Sequence, residues 1–323
     1  MCYIIVDTSR LQGSFGLHFA AMGVFMRKAV LFLLSVLFVL CFTSCNDLLK
    51  IPDVTEPLAG SSEVVTVPAA KAKVIVLSGQ SNAAGISQIS QLDAADAAAA
   101  AKYGAGFENV LIRVTNALSG NNSDSFVKVT TGWGDSTGKD AFGPEVGLAE
   151  QLAESYPGET IYIIKYAWSG APLEGGFLSG GFCWDPLCAA IDQGLSLLKE
   201  QGLDPEVVAF CWMQGESDAC AQGSAKRYER NQKSFVNALR EKYGNFFFID
   251  AGISTVWKFY TCVNNAKRDA DCDLERCVFI NTNYQGLQTA SFDIAHYDAQ
   301  SMIRLGHLFG EQIAAHITTE SVL

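Results

Sequence analysis

Histidine is scarce in this chain, with four among 323 residues. Positive charge is also thin: 23 Lys and Arg stand against 34 Asp and Glu, a formal net charge of −11. No basic patch with interleaved aromatics occurs, which argues against nucleic acid as a partner. Acidity of this degree mildly disfavours strongly anionic polymers as substrates. Charged residues make up only 18%, while 49% are hydrophobic. The chain therefore has enough apolar residue to bury a large core, as one large domain or two, and is not disordered. Among the cysteines there is no paired CxxC with a histidine nearby, so a zinc site is poorly supported. No internal repeat is present.

What is there begins with a targeting segment. Met26-Arg27-Lys28 precedes the apolar run Ala29–Phe42, too short to span a bilayer comfortably, and Thr43-Ser44-Cys45 follows. A charged start, an apolar stretch and small residues before a cleavage point read as a secretory signal. Its end at Cys45 resembles a bacterial lipoprotein signal, which implies lipidation of that cysteine, export, and attachment to a membrane at the periplasm or outer-membrane surface. An ordinary signal peptide or anchor helix is the alternative. Met1–Phe25 fits such a signal badly, so Met26 is the expected natural start. Residues 46–72, with Pro52, Pro57, Pro68, Gly60 and Ser61-Ser62, read as a flexible tether. The folded body is expected over 73–323.

Seven cysteines lie beyond the signal boundary. Cys211 sits in an apolar strand as a buried thiol. Cys183, Cys188, Cys220, Cys262, Cys272 and Cys277 fall in polar or Gly-rich segments, where an oxidising compartment favours disulfides. Six cysteines allow fifteen pairings, so connectivity stays open. The charged segment Cys262–Cys277 reads as a loop-like, disulfide-pinned insertion near the site.

From Lys73 onward, short β-rich runs alternate with amphipathic helices. Strands are expected at Lys73–Ser78, Val110–Thr115, Ser125–Thr130, Thr160–Tyr166, Val207–Met213 and Phe246–Ile249. Helices are expected at Gln91–Tyr103, Glu145–Ser155, Leu187–Gln201, Ala225–Tyr243 and Gln300–Ile317. Strands apolar throughout and separated by helices imply a parallel sheet covered on both faces. The expected fold is therefore a three-layer α/β/α sandwich with a central, mainly parallel sheet.

Ligands of such sheets bind beyond the carboxyl ends of the strands. Ser81 in Gly79-Gln80-Ser81-Asn82 leaves the first strand, Trp212–Asp218 (WMQGESD) ends a later one, and Gly170 follows Ile161–Ala167. Asp293-Ile294-Ala295-His296 precedes the last helix. A hydroxyl is a poor nucleophile until a base takes its proton and a third group orients that base. Residues three apart in a turn can approach, so Asp293 can hold Nδ1–H of His296 and leave Nε2 for Ser81. The other histidines compete poorly: His18 precedes the signal, and His307 and His316 lie inside the C-terminal helix. Alone, a serine after a strand or a DxxH is common; Ser…Asp…His in this order, with WMQGESD between, raises the odds.

Gly79–Asn82, Phe142-Gly143-Pro144-Glu145, Trp212–Asp218 and Asp293–His296 together resemble the sialate O-acetylesterase and carbohydrate esterase family 6 group of the SGNH hydrolases. The likeness runs over roughly Lys73–Ala315. It implies a flavodoxin-like α/β/α fold and a serine esterase that removes acetyl groups from sugar hydroxyls through an acyl-enzyme, without metal or organic cofactor. By position it implies Ser81 as nucleophile, His296 as base and Asp293 as orienting acid. It implies an oxyanion site from the N–H groups of Ser81 and Gly170 and the amide of Gln214. Gln80 and Asn82 support the turn. Glu216 matches a family carboxylate, either structural or a competitor of Asp293 for His296. Trp168-Ser169-Gly170-Ala171 departs from the family's Gly-Gly-Thr, which makes the Gly170 donor less secure. Trp168 is either a sugar-stacking residue or core. Acetylated sialic acid and acetylated polysaccharide such as xylan are candidate substrates. A lipase or thioesterase of the same superfamily, and a non-catalytic carbohydrate-binding lipoprotein, are the rival readings.

Overall fold

The computed structural model describes residues 68–317. The signal, Cys45 and nearly all of the expected tether lie outside the described residues. Chain order gives strands β1 (Ala70–Gly79), β2 (Ser87–Gln88), β3 (Val110–Asn116), β4 (Val127–Lys128), β5 (Ala141–Phe142), β6 (Ile161–Ala167), β7 (Leu203–Met213), β8 (Phe247–Ala251), β9 (Cys277–Ile280), β10 (Thr289–Ala290) and β11 (Asp293–Tyr297). The helices are α1 (Ser81–Ala84), α2 (Ile89–Ala95), α3 (Ala97–Ala105), α4 (Glu145–Ser155), α5 (Trp184–Glu200), α6 (Gln222–Tyr243), α7 (Tyr260–Asp273) and α8 (Ala299–His316).

Seven strands form one sheet in the order β4-β3-β6-β1-β7-β8-β9, parallel except for the edge pair β3–β4. The central β1 is buried from Val74 to Gly79 and β6 along its whole length, as a sheet covered on both faces requires. Neighbouring side chains assign the helices to faces. Phe248 stacks on Phe210, which packs on Phe235 of α6, while the adjacent Phe247 stacks on His316 of α8. Ile164 meets α5 at Gly194, and the next residue, Lys165, reaches Glu145 of α4 on the other face. Successive strand side chains point to opposite faces, so α5 and α6 cover one side and α4 and α8 the other. This is the three-layer fold expected.

Several boundaries differ from expectation. Residues 70–72 pair with Leu203–Pro205 of β7, so the folded body begins inside the expected tether. The alanine-rich helix breaks at Asp96, whose side chain caps α3 by accepting from Ala99 N–H at 2.9 Å. Only Val127–Lys128 of the expected Ser125–Thr130 strand pairs. The expected loop over Cys262–Cys277 is mostly α7, which buries Val263, Ala266, Lys267 and Ala270 at helical spacing.

The six cysteines of the expected loop disulfides all lie among the described residues. Cys183, Cys188, Cys262, Cys272 and Cys277 are free thiols, as is buried Cys211, and Cys220 Sγ donates to the Glu216 carbonyl at 3.5 Å. Helix geometry bears on two of the possible pairings. Cys262 and Cys272 both lie on α7, where ten residues separate Cα atoms by about 15 Å, far beyond the ~7 Å limit of a disulfide. Cys183 caps α5 and Cys188 lies inside it, one and a half turns apart.

Candidate active site

Two backbone bonds draw the ends of β1, β6 and β7 together: Trp168 N–H to Gly79 O and Gln80 N–H to Met213 O, each 3.0 Å. Only glycine fits at 79. Its φ is +143°, and a Cβ there would lie 1.9 Å from Met213 O. The chain then turns through Gln80 into α1, whose first residue is Ser81, 6% exposed. Beneath the turn, Lys165 is wholly buried and donates to Ala84 O (2.8 Å), Trp133 O (3.1 Å) and Glu145 Oε2 (2.8 Å). Glu145 Oε1 accepts from Gly143 N–H at 2.8 Å. A lysine inside a strand read as apolar throughout gave no hint of this ion pair. It ties the Ser81 turn to the Gly143-Pro144-Glu145 motif.

Asn82 joins the turn to the C-terminal histidine. Its Nδ2 donates to Glu216 Oε1 at 2.8 Å and to Ala295 O at 3.4 Å, and its Oδ1 accepts from Tyr297 N–H at 3.2 Å. Asn82 therefore grips the backbone on both sides of His296. Ser87 Oγ adds a bond to Tyr297 O at 3.0 Å. The segment is strand β11 of a small hairpin rather than a turn. Asp293 and His296 still meet: Oδ2 lies 2.5 Å from Nδ1, and Asp293 Oδ1 accepts from Ala295 N–H at 3.2 Å. The Ser81 hydroxyl makes no hydrogen bond to His296 in this state. Glu216 sits nearby and feels the histidine's charge, but Asp293 is the carboxylate that bonds the imidazole.

The third wall is the loop after β6. Gly170 has φ +78° with open space where a Cβ would stand. Its carbonyl accepts from Ser217 Oγ at 2.9 Å, which holds the peptide at the rim. Neither Ser81 N–H nor Gly170 N–H is used in a backbone hydrogen bond among the described residues. Asp218 Oδ2 anchors the same loop by accepting from Leu173 N–H at 2.8 Å and from Gln214 Nε2 at 2.6 Å. Gln214 is 0% exposed. Besides Asp218, its Nε2 faces Ala171 O (3.2 Å) and Gln80 Oε1 (3.3 Å), and its Oε1 accepts from Tyr228 OH at 2.8 Å. The expected oxyanion donor is thus engaged behind the site.

Buried carboxyls crowd this region. Burial pushes the Glu216 and Asp218 carboxyls above the usual range, and Asp250 up to about 6 in spite of its ion pair with the buried Lys267. Lys267 is the cation that all three carboxyls feel. Glu216 Oε2 has no partner. Desolvation dominates, so each group gains by binding a proton. Lys267, Asp250 and Tyr228 lie outside the motifs that the sequence singles out, and Asp218 enters there only as the last residue of Trp212–Asp218.

At the rim, Trp168 is half-buried and packs edge-to-face on Phe182, with ring centroids 5.0 Å apart and Phe182 49% exposed. Ser169 Oγ beside it donates to Asp135 Oδ2 at 2.7 Å. Trp168 is therefore neither pure core nor free: it packs against the core and on Phe182 and is otherwise exposed.

A family model described as carbohydrate esterase, sialic acid-specific acetylesterase matches residues 71–315. Among solved structures, a protein from Arabidopsis thaliana is 17% identical, with a TM-score of 0.60, covering 78% of this chain and 100% of that one. An acetylxylan esterase from Geobacillus stearothermophilus is 12% identical, with a TM-score of 0.40, covering 76% and 95%. The curated protein sequences contain no match.

Proposed function

This chain belongs to the sialic acid-specific acetylesterase family of carbohydrate esterases, and from that premise we propose that Ser81, His296 and Asp293 carry out its ester hydrolysis. Ser81 Oγ attacks the carbonyl carbon of an acetylated sugar while His296 Nε2 takes its proton. The resulting oxyanion is held by the N–H groups of Ser81 and Gly170. His296 then protonates the leaving sugar oxygen, and an acetyl group remains on Ser81. Water, deprotonated by the same nitrogen, attacks the acyl-enzyme; acetate leaves and Ser81 regains its proton. No step needs a metal or an organic cofactor.

The observation that carries this reading is Asn82. It adjoins Ser81, and its side chain bonds the backbone on both sides of His296, while Asp293 fixes the imidazole through Nδ1 at 2.5 Å. A nucleophile–base bond is often open in a free enzyme and closes with substrate. The recess supports a small acyl group, since Ser81 is only 6% exposed. Trp168 and Phe182 supply an aromatic edge suited to a pyranose ring. The sequence of Met26–Cys45 supports export and lipid attachment at Cys45.

The test is acetate release from a panel of O-acetylated sialosides and acetylated xylo-oligosaccharides, with Ser81→Ala as control. Turnover on one sugar class, abolished by Ser81→Ala, is the expected result. A preference for octanoyl over acetyl esters would favour a lipase, and sugar binding without hydrolysis a binding protein; either overturns the proposal.

A further inference from the structure

We propose that Phe292 and Ile294 form the subsite for the alcohol side of the ester, and that they hold a sugar ring next to the one that bears the acetyl group. This rests on the esterase reading above, in which His296 takes the Ser81 proton and returns it to the leaving sugar oxygen. The alcohol must therefore depart along the wall that carries His296. The Gly170 loop leads into α5 on one face of the sheet, and the His296 hairpin into α8 on the other.

Six large apolar side chains are exposed among the described residues: Leu118, Phe182, Val256, Tyr284, Phe292 and Ile294. The first four lie in loops that follow the carboxyl ends of the parallel strands β3, β6, β8 and β9, and the other two are on the His296 hairpin. None lies at the opposite edge of the sheet or on a long helix. Single exposed apolar residues are ordinary. Their confinement to the edge that carries Ser81 marks that edge as a binding surface.

Phe292 and Ile294 are set apart by their backbone positions. Ala290 pairs with Asp293, so Ser291 and Phe292 form a two-residue hairpin loop, where glycine, asparagine and aspartate are preferred. The next pair is Thr289 with Tyr297, so Ile294, Ala295 and His296 bulge from the hairpin together. Asp293 Oδ1 closes the start of the bulge by accepting from Ala295 N–H, which puts Ile294 at the apex of a tight turn. Phe292 is 70% exposed and Ile294 63%, so neither is apolar for the sake of the core. A local preference broken without a packing gain is expected at functional positions. Bulges beside active sites re-aim side chains, and this one carries Ile294 and the base on one short segment. Asn82 ties the backbone on both sides of His296 to the Ser81 turn, which keeps the two apolar side chains in register with the reacting atoms. Phe292 is four residues from His296, up to about 13 Å along the chain. That span covers the ring bearing the ester and reaches its neighbour, whose apolar face a phenyl ring and a branched aliphatic chain can cover.

The experiment measures acetate release from two substrate pairs and one small ester. The pairs are O-acetylated sialic acid against O-acetylated sialyllactose, and acetylated methyl xyloside against acetylated xylotetraose; the small ester is ethyl acetate. The parent, Phe292→Ser, Ile294→Ser and Ser81→Ala are compared, with melting curves and gel filtration. In one pair the parent should favour the longer member by about tenfold in kcat/KM, carried mainly by KM. Each hairpin variant should lose about tenfold on that longer member, less on the shorter, and least on ethyl acetate, whose alcohol is too small to reach the subsite. Both should melt like the parent. Equal kcat/KM for the two members in the parent, or variants that keep the preference for length, would overturn the proposal. So would a dimer lost in variants that hydrolyse normally, which would assign the patch to a second copy of the chain. Ethyl acetate hydrolysis persisting in Ser81→Ala, or no turnover of either sugar pair, would instead remove the esterase reading beneath it, so the two failures are separable.

Discussion

Replacing Asp293 with Asn changes one atom and reverses the chemistry at His296. In the structure Asp293 Oδ1 accepts from Ala295 N–H and Oδ2 faces His296 Nδ1. An asparagine that keeps its oxygen on Ala295 must present its NH2 to Nδ1. That nitrogen then becomes an acceptor, the ring proton moves to Nε2, and the histidine cannot take the Ser81 proton. The comparable change in a serine protease costs about 10⁴ in turnover. Here the amide can escape by flipping, which loses the Ala295 bond at about 1 kcal/mol. The flipped form restores the tautomer but not the charge-assisted bond to the imidazolium, about 1.5–3 kcal/mol. Together these give roughly 2.5–4 kcal/mol, or about two to three orders of magnitude in kcat. The assay is p-nitrophenyl acetate turnover with circular dichroism to confirm the fold. Glu216→Gln is the companion, because Glu216 accepts from Asn82 and makes no bond to the ring; it should lose less than Asp293→Asn. Asp293→Asn with near-parental kcat, or the reverse ranking, would refute the orientation argument.

Two stability predictions follow from the same site. Lys267→Met leaves Asp250, Glu216 and Asp218 buried without their cation, at a cost of about 3–5 kcal/mol near neutral pH. Asp250 has a folded pKa raised to about 6 from 3.8, so its contribution is fully present below about 3.8 and lost as pH rises through about 6. The Lys267→Met deficit in urea unfolding should therefore shrink between pH 7.5 and pH 5, and a deficit independent of pH would contradict the assignment. Gly79→Ala places a methyl where Met213 O stands, so it should yield little soluble protein or a melting temperature lowered by many degrees; a parental melting curve would show that the strands can part.

Much of the architecture was legible because buried parallel strands announce themselves as apolar runs. Helix α4 matches its expected range, and β6 is shifted by one residue at each end. Longer-range effects were harder to read. The extension of β1 back to Ala70 depends on a partner, β7, that local sequence does not name. Helix α7 was obscured by reading its cysteines for redox chemistry rather than its apolar spacing for a buried face. At the site, the glycines, Ser81, Asp293 and His296 carried their own signals. The commitment of the Gln214 amide to Asp218 and Tyr228 did not, because hydrogen-bond direction is a property of neighbours and not of residue type.

The most direct measurement is mapping of the residue that forms a covalent adduct with a fluorophosphonate ester, by digestion and mass spectrometry of the full chain and of His296→Ala. The expected result is one adduct, on Ser81, formed rapidly in the parent and very slowly without the histidine. An adduct on another residue, or labelling of Ser81 that proceeds equally well without His296, would contradict the pairing of this hydroxyl with this imidazole.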